Sequence, residues 1–323
     1  MKTDLENSYI LSFDIGGTKI AGGIFDSLGQ EEKTRVIEQT SQSGYSEFLT
    51  IMDRIAEQLI TKYPEIIKVG VGFCGTYDKK RDMVTSAFNA PYLEGKNLKK
   101  DIEELLKIRG IKSPLYVDND ANCAALVESI EGAGKGYNSV FLMIIGTGVG
   151  GGFVVDKKLL VGANGLSREI GSLQFPIYDT EDLEMVTRFV KQGSKDNAEC
   201  YTGCYANIEQ VIAGKGLKQL YEERTSKIAE AKEIGDLYNN KDSEAVKVMD
   251  EYFERVAKVV SVVVNMFDPE VIILSGGVSS IRGICDEVQS RMEKYTIIKN
   301  LNTKILLAEF GAMTGLRGAA LLG

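Results

Sequence analysis

Three glycine-rich turns, each preceded by a short apolar run, constrain the fold of this chain more than any other feature. They occupy residues 14–19, 146–152 and 275–277. Residues without a Cβ allow backbone N–H groups to crowd around an anion. Three such turns on one chain therefore predict a phosphate-rich ligand that is held from several sides, and this points to a nucleotide.

The first two turns share a setting, because each joins one apolar β run to another that ends in an aspartate. Gly146, Gly148 and Gly151 fit the pattern G-x-G-x-x-G, but a dinucleotide-binding site needs a helix after the turn, and a β run follows here. The sequence contains no G-x-x-x-x-G-K-[ST], which excludes a P-loop. Either turn alone is equally consistent with a tight hairpin that binds nothing.

Length and composition indicate an ordinary globular protein of two domains, with 323 residues and a net charge of −8. The excess of acidic over basic residues and the lack of a basic stripe argue against a nucleic-acid partner. The longest apolar stretch, 259–267, contains Ser261 and Asn265 and is too short to span a membrane. Five scattered cysteines and a polar N-terminus without a signal-peptide pattern predict a cytoplasmic protein.

Histidine is absent, which leaves carboxylates as the expected acid–base catalysts. Cys200 and Cys204 are separated by three residues and have no further Cys or His nearby. A structural zinc site needs four such ligands, so we predict no zinc.

Hydrophobic periodicity predicts a β-β-β-α-β-α-β unit that occurs twice, with a helical insertion between about 178 and 267. Asn97 is expected to cap a helix over 98–109. We expect a smaller N-terminal α/β domain over 1–118, joined by a C-terminal helix over about 308–323, and a larger C-terminal domain over 119–307. The two halves are expected to face each other across a cleft lined by the glycine turns.

Six short motifs, taken in order, resemble the ROK family of bacterial sugar kinases over nearly the whole chain. They are D-I-G-G-T-K at 14–19, N-A-P at 89–91, N-D-A-N at 119–122, G-T-G-V-G-G-G at 146–152, E-I-G at 169–171 and L-S-G-G-V at 274–278. The resemblance implies a two-domain actin-like, ribonuclease H-like α/β fold. Residues 207–217 are further similar to bacterial glucokinases.

The resemblance also implies site residues. Asp120 would be the general base, although a plain helix N-cap would also explain it. Asp14 would orient Mg²⁺ through water, or would merely cap its own turn. The hexose would contact Asn89, Asn119, Asp120, Glu169, Ser172 and Glu209. ATP would be bound by Asp14, Gly16, Gly17, Thr18, Lys19, Gly146, Thr147, Gly148, Gly276 and Gly277.

Two departures from the family pattern bear on the substrate. Ser172 stands where most members have a sugar-binding histidine, and most of the family's zinc motif is missing. The absence of the zinc motif is similar to the glucokinase branch, whereas Ser172 leaves room for a larger substituent on the sugar.

The primary interpretation is an ATP-dependent, Mg²⁺-requiring glucokinase that forms glucose 6-phosphate and assembles as a homodimer. The alternatives are a ROK kinase for N-acetylmannosamine, N-acetylglucosamine, mannose, fructose or allose, or a non-catalytic sugar-sensing ROK protein. Such regulators carry a DNA-binding module before the first motif, and 13 residues precede Asp14 here. A filament or chaperone relative of actin, which hydrolyses ATP without sugar, also remains open.

Overall fold

The computed structural model describes residues 8–41, 43–87, 89–163, 165, 169–193, 206–311 and 314–323. Its contacts divide the chain into two compact units. The first unit comprises residues 1–130, 157–167 and 312–323, and the second comprises 131–156 and 168–311. Within the described residues, no helix has the length and apolar character needed to cross a membrane.

The strands are β1 (Tyr9–Ile15), β2 (Lys19–Asp26), β3 (Glu32–Gln39), β4 (Ile66–Phe73), β5 (Thr76–Asp78), β6 (Met83–Ser86), β7 (Leu115–Asn119), β8 (Ser139–Ile145), β9 (Val149–Val155), β10 (Lys158–Leu159), β11 (Val271–Ser275) and β12 (Lys304–Leu307). The helices are α1 (Tyr45–Ile60), α2 (Leu98–Ile108), α3 (Asp120–Ile130), α4 (Thr180–Gly193), α5 (Ile208–Ile212), α6 (Gly214–Thr225), α7 (Ala231–Asn239), α8 (Ser243–Phe267), α9 (Ile284–Met292) and α10 (Thr314–Leu321).

The first unit is built on a sheet with the strand order β3-β2-β1-β4-β7. Strands β1, β2 and β3 pair antiparallel, and β4 pairs parallel with both β1 and β7. Apolar residues of α1 and α2, such as Phe48, Ile55 and Ile102, pack with residues of these strands in one buried core. Burial of these side chains is the main contribution to the stability of this unit.

Helix α10 packs closely on the first unit's sheet and on α3 because small residues line the contact. A Cβ built on Gly70 of β4 would lie 1.8 Å from the carbonyl oxygen of Ala319. A Cβ built on Gly318 would lie 2.2 Å from the carbonyl oxygen of Cys123. Any larger side chain at either glycine would push α10 away from the sheet.

The second unit repeats the strand arrangement of the first. Strands β9, β8, β11 and β12 are neighbours in that order, antiparallel between β8 and β9 and parallel thereafter. The order β2-β1-β4-β7 of the first unit is the same pattern. The 25-residue helix α8 supplies much of the second core, including Val256, Val260 and Val263. The predicted duplication is therefore confirmed.

Several boundaries differ from the sequence-based expectations. The sequence predicts a domain boundary after residue 118. In the structure, α3 belongs to the first unit because it packs against α10 and β7. The short β5–β6 hairpin was not predicted, since its strands are only three and four residues long. Helix α9 begins at Ile284, after a 3-10 turn at Gly277–Ser280. Cys200 and Cys204 lie outside the described residues.

Candidate active site

The first glycine turn connects β1 to β2 in a tight hairpin. The backbone N–H of Gly16 donates to the carbonyl oxygen of Lys19 at 2.9 Å. A Cβ built on Gly17 would lie 2.6 Å from the carbonyl oxygen of Asn89. The structure therefore brings the predicted sugar-binding residue Asn89 against the predicted phosphate-binding turn. Thr18 and Lys19 are exposed beside it.

The junction between β7 and α3 carries the proposed base. The side-chain oxygen of Asn119 accepts a hydrogen bond from the backbone N–H of Asn122 at 2.8 Å, so Asn119 is the N-cap of α3. The carboxylate of Asp120 accepts from the backbone N–H of Ala121 at 2.8 Å. Because Asn119 fills the capping role, Asp120 is not needed as a cap, and its side chain remains accessible.

The ionisation of Asp14 is disfavoured by its surroundings, including the charge of Asp120. Desolvation by burial and then the negative charge of Asp120 raise the pKa of Asp14 to about 6, against the opposing charges of Lys19 and Arg35. Nearby protein atoms partly desolvate the carboxyl of Asp120, although the residue keeps an exposed face, and this raises its pKa against hydrogen bonds from backbone N–H groups. A buried carboxylate whose ionisation is disfavoured by burial and by a neighbouring negative charge is stabilised in its charged form by a nearby cation.

The donor set of the first unit fits a magnesium ion better than a protein-enclosed metal. Mg²⁺ is usually held by one or two carboxylates together with water and substrate phosphates. In the described part of the chain, no group of three or more Cys, Asp or Glu residues could hold a metal. A Cβ built on Gly315 would lie 2.1 Å from an oxygen of Asp14, so a glycine in α10 leaves the space that this carboxylate occupies.

The second and third glycine turns lie together in the second unit. The N–H of Gly146 donates to the carbonyl oxygen of Gly148 at 2.9 Å, and the N–H of Gly214 donates to that of Gly146 at 2.8 Å. Gly276 has a φ of 90°, and a Cβ built on it would lie 2.4 Å from the carbonyl oxygen of Ile145. The two turns and the start of α6 therefore meet where the parallel strands β8 and β11 end.

Glu209 lies against the second glycine turn. Its carboxylate accepts from the N–H of Val149 at 3.3 Å and from Nζ of Lys215 at 3.0 Å. A Cβ built on Gly148 would lie 2.5 Å from the same carboxylate. Helix α5, which carries Glu209, begins with a capping box formed by Asn207 and Gln210. These contacts fix Glu209 beside the predicted nucleotide site.

Residues 169–172 belong to the same region of the second unit. Glu169 precedes a 3-10 turn at Ile170–Ser172, and Ser172 is exposed at its end. A Cβ built on Gly171 would lie 2.2 Å from the carbonyl oxygen of Val149, so this turn packs on the start of β9. The structure thus gathers Glu169, Ser172 and Glu209 around the second glycine turn.

Some residues of the site have no assignment from the sequence. Lys215 contacts Glu209, and its position between Gly214 and Gly216 at the start of a helix was the available signal. Asp118 and its partner Lys79 lie beside the base, at 2.7 Å from each other. A polar run longer than one helix start requires was the only sign of Asp118.

Known proteins match this chain over nearly its whole length. The sequence profile of the ROK family matches residues 10–323. An N-acetyl-D-glucosamine kinase from Vibrio atlanticus is 32% identical over 96% of this chain and 98% of its own length. An N-acetylgalactosamine kinase from Shewanella sp. (strain ANA-3) is 30% identical over 96% of this chain and 95% of its own length.

Among solved structures, a ROK family glucokinase from Streptomyces griseus in complex with glucose and AMPPNP is similar to this chain, with a TM-score of 0.70 and 25% identity. The match covers 97% of this chain and 98% of that one. The expected two-domain actin-like fold is confirmed. The expectation that this chain is most similar to glucokinases is not confirmed, because the two relatives above are named for N-acetylated sugars.

Proposed function

The chain belongs to the ROK family, and from this premise we propose that it phosphorylates an N-acetylhexosamine, with N-acetylglucosamine as the first candidate. The chain is an ATP-dependent sugar phosphotransferase. The choice of sugar rests on the two relatives named as N-acetylhexosamine kinases, which are at least 30% identical over 96% of this chain.

Ser172 supports an N-acetylated substrate over glucose. A serine side chain is shorter than the histidine that most members of the family carry at this point, and Ser172 is exposed at the end of its 3-10 turn. The shorter side chain leaves more space for a substituent such as an acetamido group. This argument favours the N-acetylhexosamines over the earlier expectation of glucose.

In the proposed reaction, Asp120 removes the proton from the acceptor hydroxyl of the sugar, which we assign as the 6-hydroxyl. The hydroxyl oxygen forms a bond to the γ-phosphorus of ATP, the bond between that phosphorus and the β,γ-bridging oxygen breaks, and ADP leaves. The proton ends on the carboxylate of Asp120. Desolvation raises the pKa of this carboxyl, which makes it a stronger base than an ordinary aspartate.

The glycine turns are the proposed phosphate and adenosine contacts. Backbone N–H groups of the first and second turns would donate to phosphate oxygens, together with the exposed hydroxyls of Thr18 and Thr147. The backbone at Gly276 and Gly277 would lie along the adenosine. Asp14 would hold Mg²⁺ through water, and the bound ion would neutralise charge on the phosphates.

Polar side chains are proposed to bind the sugar, namely Asn89, Asn119, Glu169, Ser172 and Glu209. A site that pairs its buried polar groups with sugar hydroxyls discriminates strongly against analogues that lack one of them. This property provides the means to test which hydroxyl reacts.

We also propose a homodimer in the cytoplasm. Met266 and Ile297 are 63% and 88% exposed in the second unit, and the N–H of Ile297 donates to the side chain of Asn265. Exposed apolar side chains that form a contiguous patch are typical of protein interfaces, and we infer that these residues belong to one. Light scattering coupled to size-exclusion chromatography would measure the mass, and a monomer would contradict this assembly.

The test of the proposed function is ADP release measured with a panel of sugars and without sugar. An N-acetylhexosamine kinase releases ADP only when its sugar is present. A sugar-sensing protein without catalysis would release none, and an ATPase related to actin would release ADP in the absence of sugar.

A further inference from the structure

Asp118 is a buried carboxylate beside the proposed base, and the reaction described above gives it no role. Asp118 is only 4% exposed, and near the end of β7 it lies opposite Gly72 in the parallel pairing of β7 with β4. A buried carboxylate destabilises a fold strongly unless hydrogen-bond donors surround it. The structure must therefore provide donors for Asp118.

Three donors satisfy this carboxylate. One oxygen accepts from Nζ of Lys79 at 2.7 Å. The other accepts from the backbone N–H of Asn119 at 2.9 Å and from the side-chain amide of Asn122 at 2.6 Å. Asn122 is itself buried. Asp118 thus holds the backbone immediately before Asp120 and a side chain one turn further along α3.

The formation of α3 does not explain this arrangement, because Asn119 already caps the helix. Among the described residues, the carboxylate of Asp120 accepts from the N–H of its neighbour Ala121 and from no distant residue. The position of the base therefore depends on the backbone from residue 119 to 121, which Asp118 restrains.

We propose that Lys79, Asp118 and Asn122 are positioning residues that hold Asp120 in its reactive place. This inference rests on the proposed role of Asp120 as the base. A displacement of a reacting group by about 1 Å reduces the rate by up to about 100-fold, even where substrate binding is kept. Loss of the network should therefore lower kcat and leave KM nearly unchanged.

Lys79 gives experimental access to the network. Its side chain is 45% exposed, and it reaches Asp118 from a cavity of about 400 Å³ in the first unit. Lys158 lines the same cavity and, within the described residues, makes no ion pair. It is therefore a matched control for the loss of one lysine from this surface.

The experiment compares Lys79→Met, Lys79→Arg and Lys158→Met by steady-state kinetics with N-acetylglucosamine and ATP. We expect Lys79→Met to lower kcat about 10-fold, with both KM values within about 2-fold of the parent. Lys79→Arg should restore most of the rate because it returns a donor to Asp118, and Lys158→Met should match the parent. Asp118→Asn, which keeps the shape and removes the charge, should also lower kcat at unchanged KM.

Three results would overturn the inference. One is a Lys79→Met enzyme that has a lower Tm but an unchanged kcat, measured at a temperature where it is fully folded. This result would mean that the network only stabilises the fold. Another is a rise in KM at constant kcat. The third is normal turnover by Asp120→Asn, which removes the base assignment itself and is measured independently of the Lys79 variants.

Discussion

Asp14 and Asp120 lie close enough in the first unit for the charge of Asp120 to raise the pKa of Asp14, which reaches about 6. Asp14 lies one residue before the end of β1 and Asp120 begins α3, and neither forms a salt bridge with a lysine or arginine among the described residues. Burial, and then the charge of Asp120, therefore disfavour the ionised form of Asp14 in the folded protein at neutral pH. The Mg²⁺ that we propose near Asp14 would reduce this cost.

The first prediction concerns Asp120 as the base. We expect Asp120→Asn to lower kcat by about 10² to 10⁴, because the asparagine amide cannot accept the proton of the sugar hydroxyl. Sugar binding measured by calorimetry should change little, since the side chains have the same shape. Near-normal turnover by this variant would contradict the assignment.

The second prediction concerns the stability of Asp14→Asn without ligands. The pKa of Asp14 is about 6 in the folded protein and 3.8 as the ordinary value, so ionisation disfavours the folded state as pH rises between these values. At pH 7 the substitution should therefore raise the free energy of unfolding by about 1 to 3 kcal/mol. Below pH 3.8 the gain should vanish, because Asp14 is then protonated in both states.

Urea unfolding at pH 7 and at low pH measures the difference in the free energy of unfolding between parent and variant. Asp14→Asn should also lose most of its Mg²⁺-dependent activity, and Mg²⁺ with nucleotide should stabilise the parent more than the variant. A variant that is less stable than the parent at pH 7 would contradict the electrostatic account of this site.

The third prediction separates two neighbouring glycines. Gly276→Ala should destabilise the fold by several kcal/mol, because φ is 90° and the new Cβ would lie 2.4 Å from a backbone oxygen. A Cβ on Gly277 meets nothing within 4 Å, so Gly277→Ala should leave Tm unchanged. If adenosine lies along this backbone, Gly277→Ala should still raise the KM for ATP. An unchanged KM would place the adenosine elsewhere.

The fourth prediction identifies the acceptor hydroxyl. The 6-deoxy analogue of N-acetylglucosamine should compete with the parent sugar, because the other hydroxyls keep their contacts, yet it should never be phosphorylated. Inhibition kinetics and mass spectrometry of the products measure the two properties. A phosphorylated 6-deoxy sugar would show that another hydroxyl reacts.

The sequence predicts the parts of this structure that depend on local patterns. The hairpins around the first two glycine turns follow from apolar runs on both sides of each turn, and Asn97 caps α2 as expected, with its side chain accepting from Lys100. Both signals lie within a few residues of the structure they specify. The motifs of the ROK family extend this prediction to the whole fold.

The contacts that sequence reasoning missed join residues far apart in the chain. Lys79 and Asp118 are 39 positions apart, and Val149 and Glu209 are 60 positions apart. No periodicity or cap signals such pairs, because they form only when separate elements pack together. The sequence therefore indicated an excess of polar side chains around Asp120 but not the partners that hold them.

The comparison of N-acetylglucosamine with glucose as substrates is the most direct test of the proposed function. We expect kcat/KM for N-acetylglucosamine to exceed that for glucose by about 10-fold or more, which corresponds to about 1.4 kcal/mol of transition-state stabilisation. Equal values, or a preference for glucose, measured in the same ADP-release assay would contradict the proposed substrate and would support a glucokinase instead.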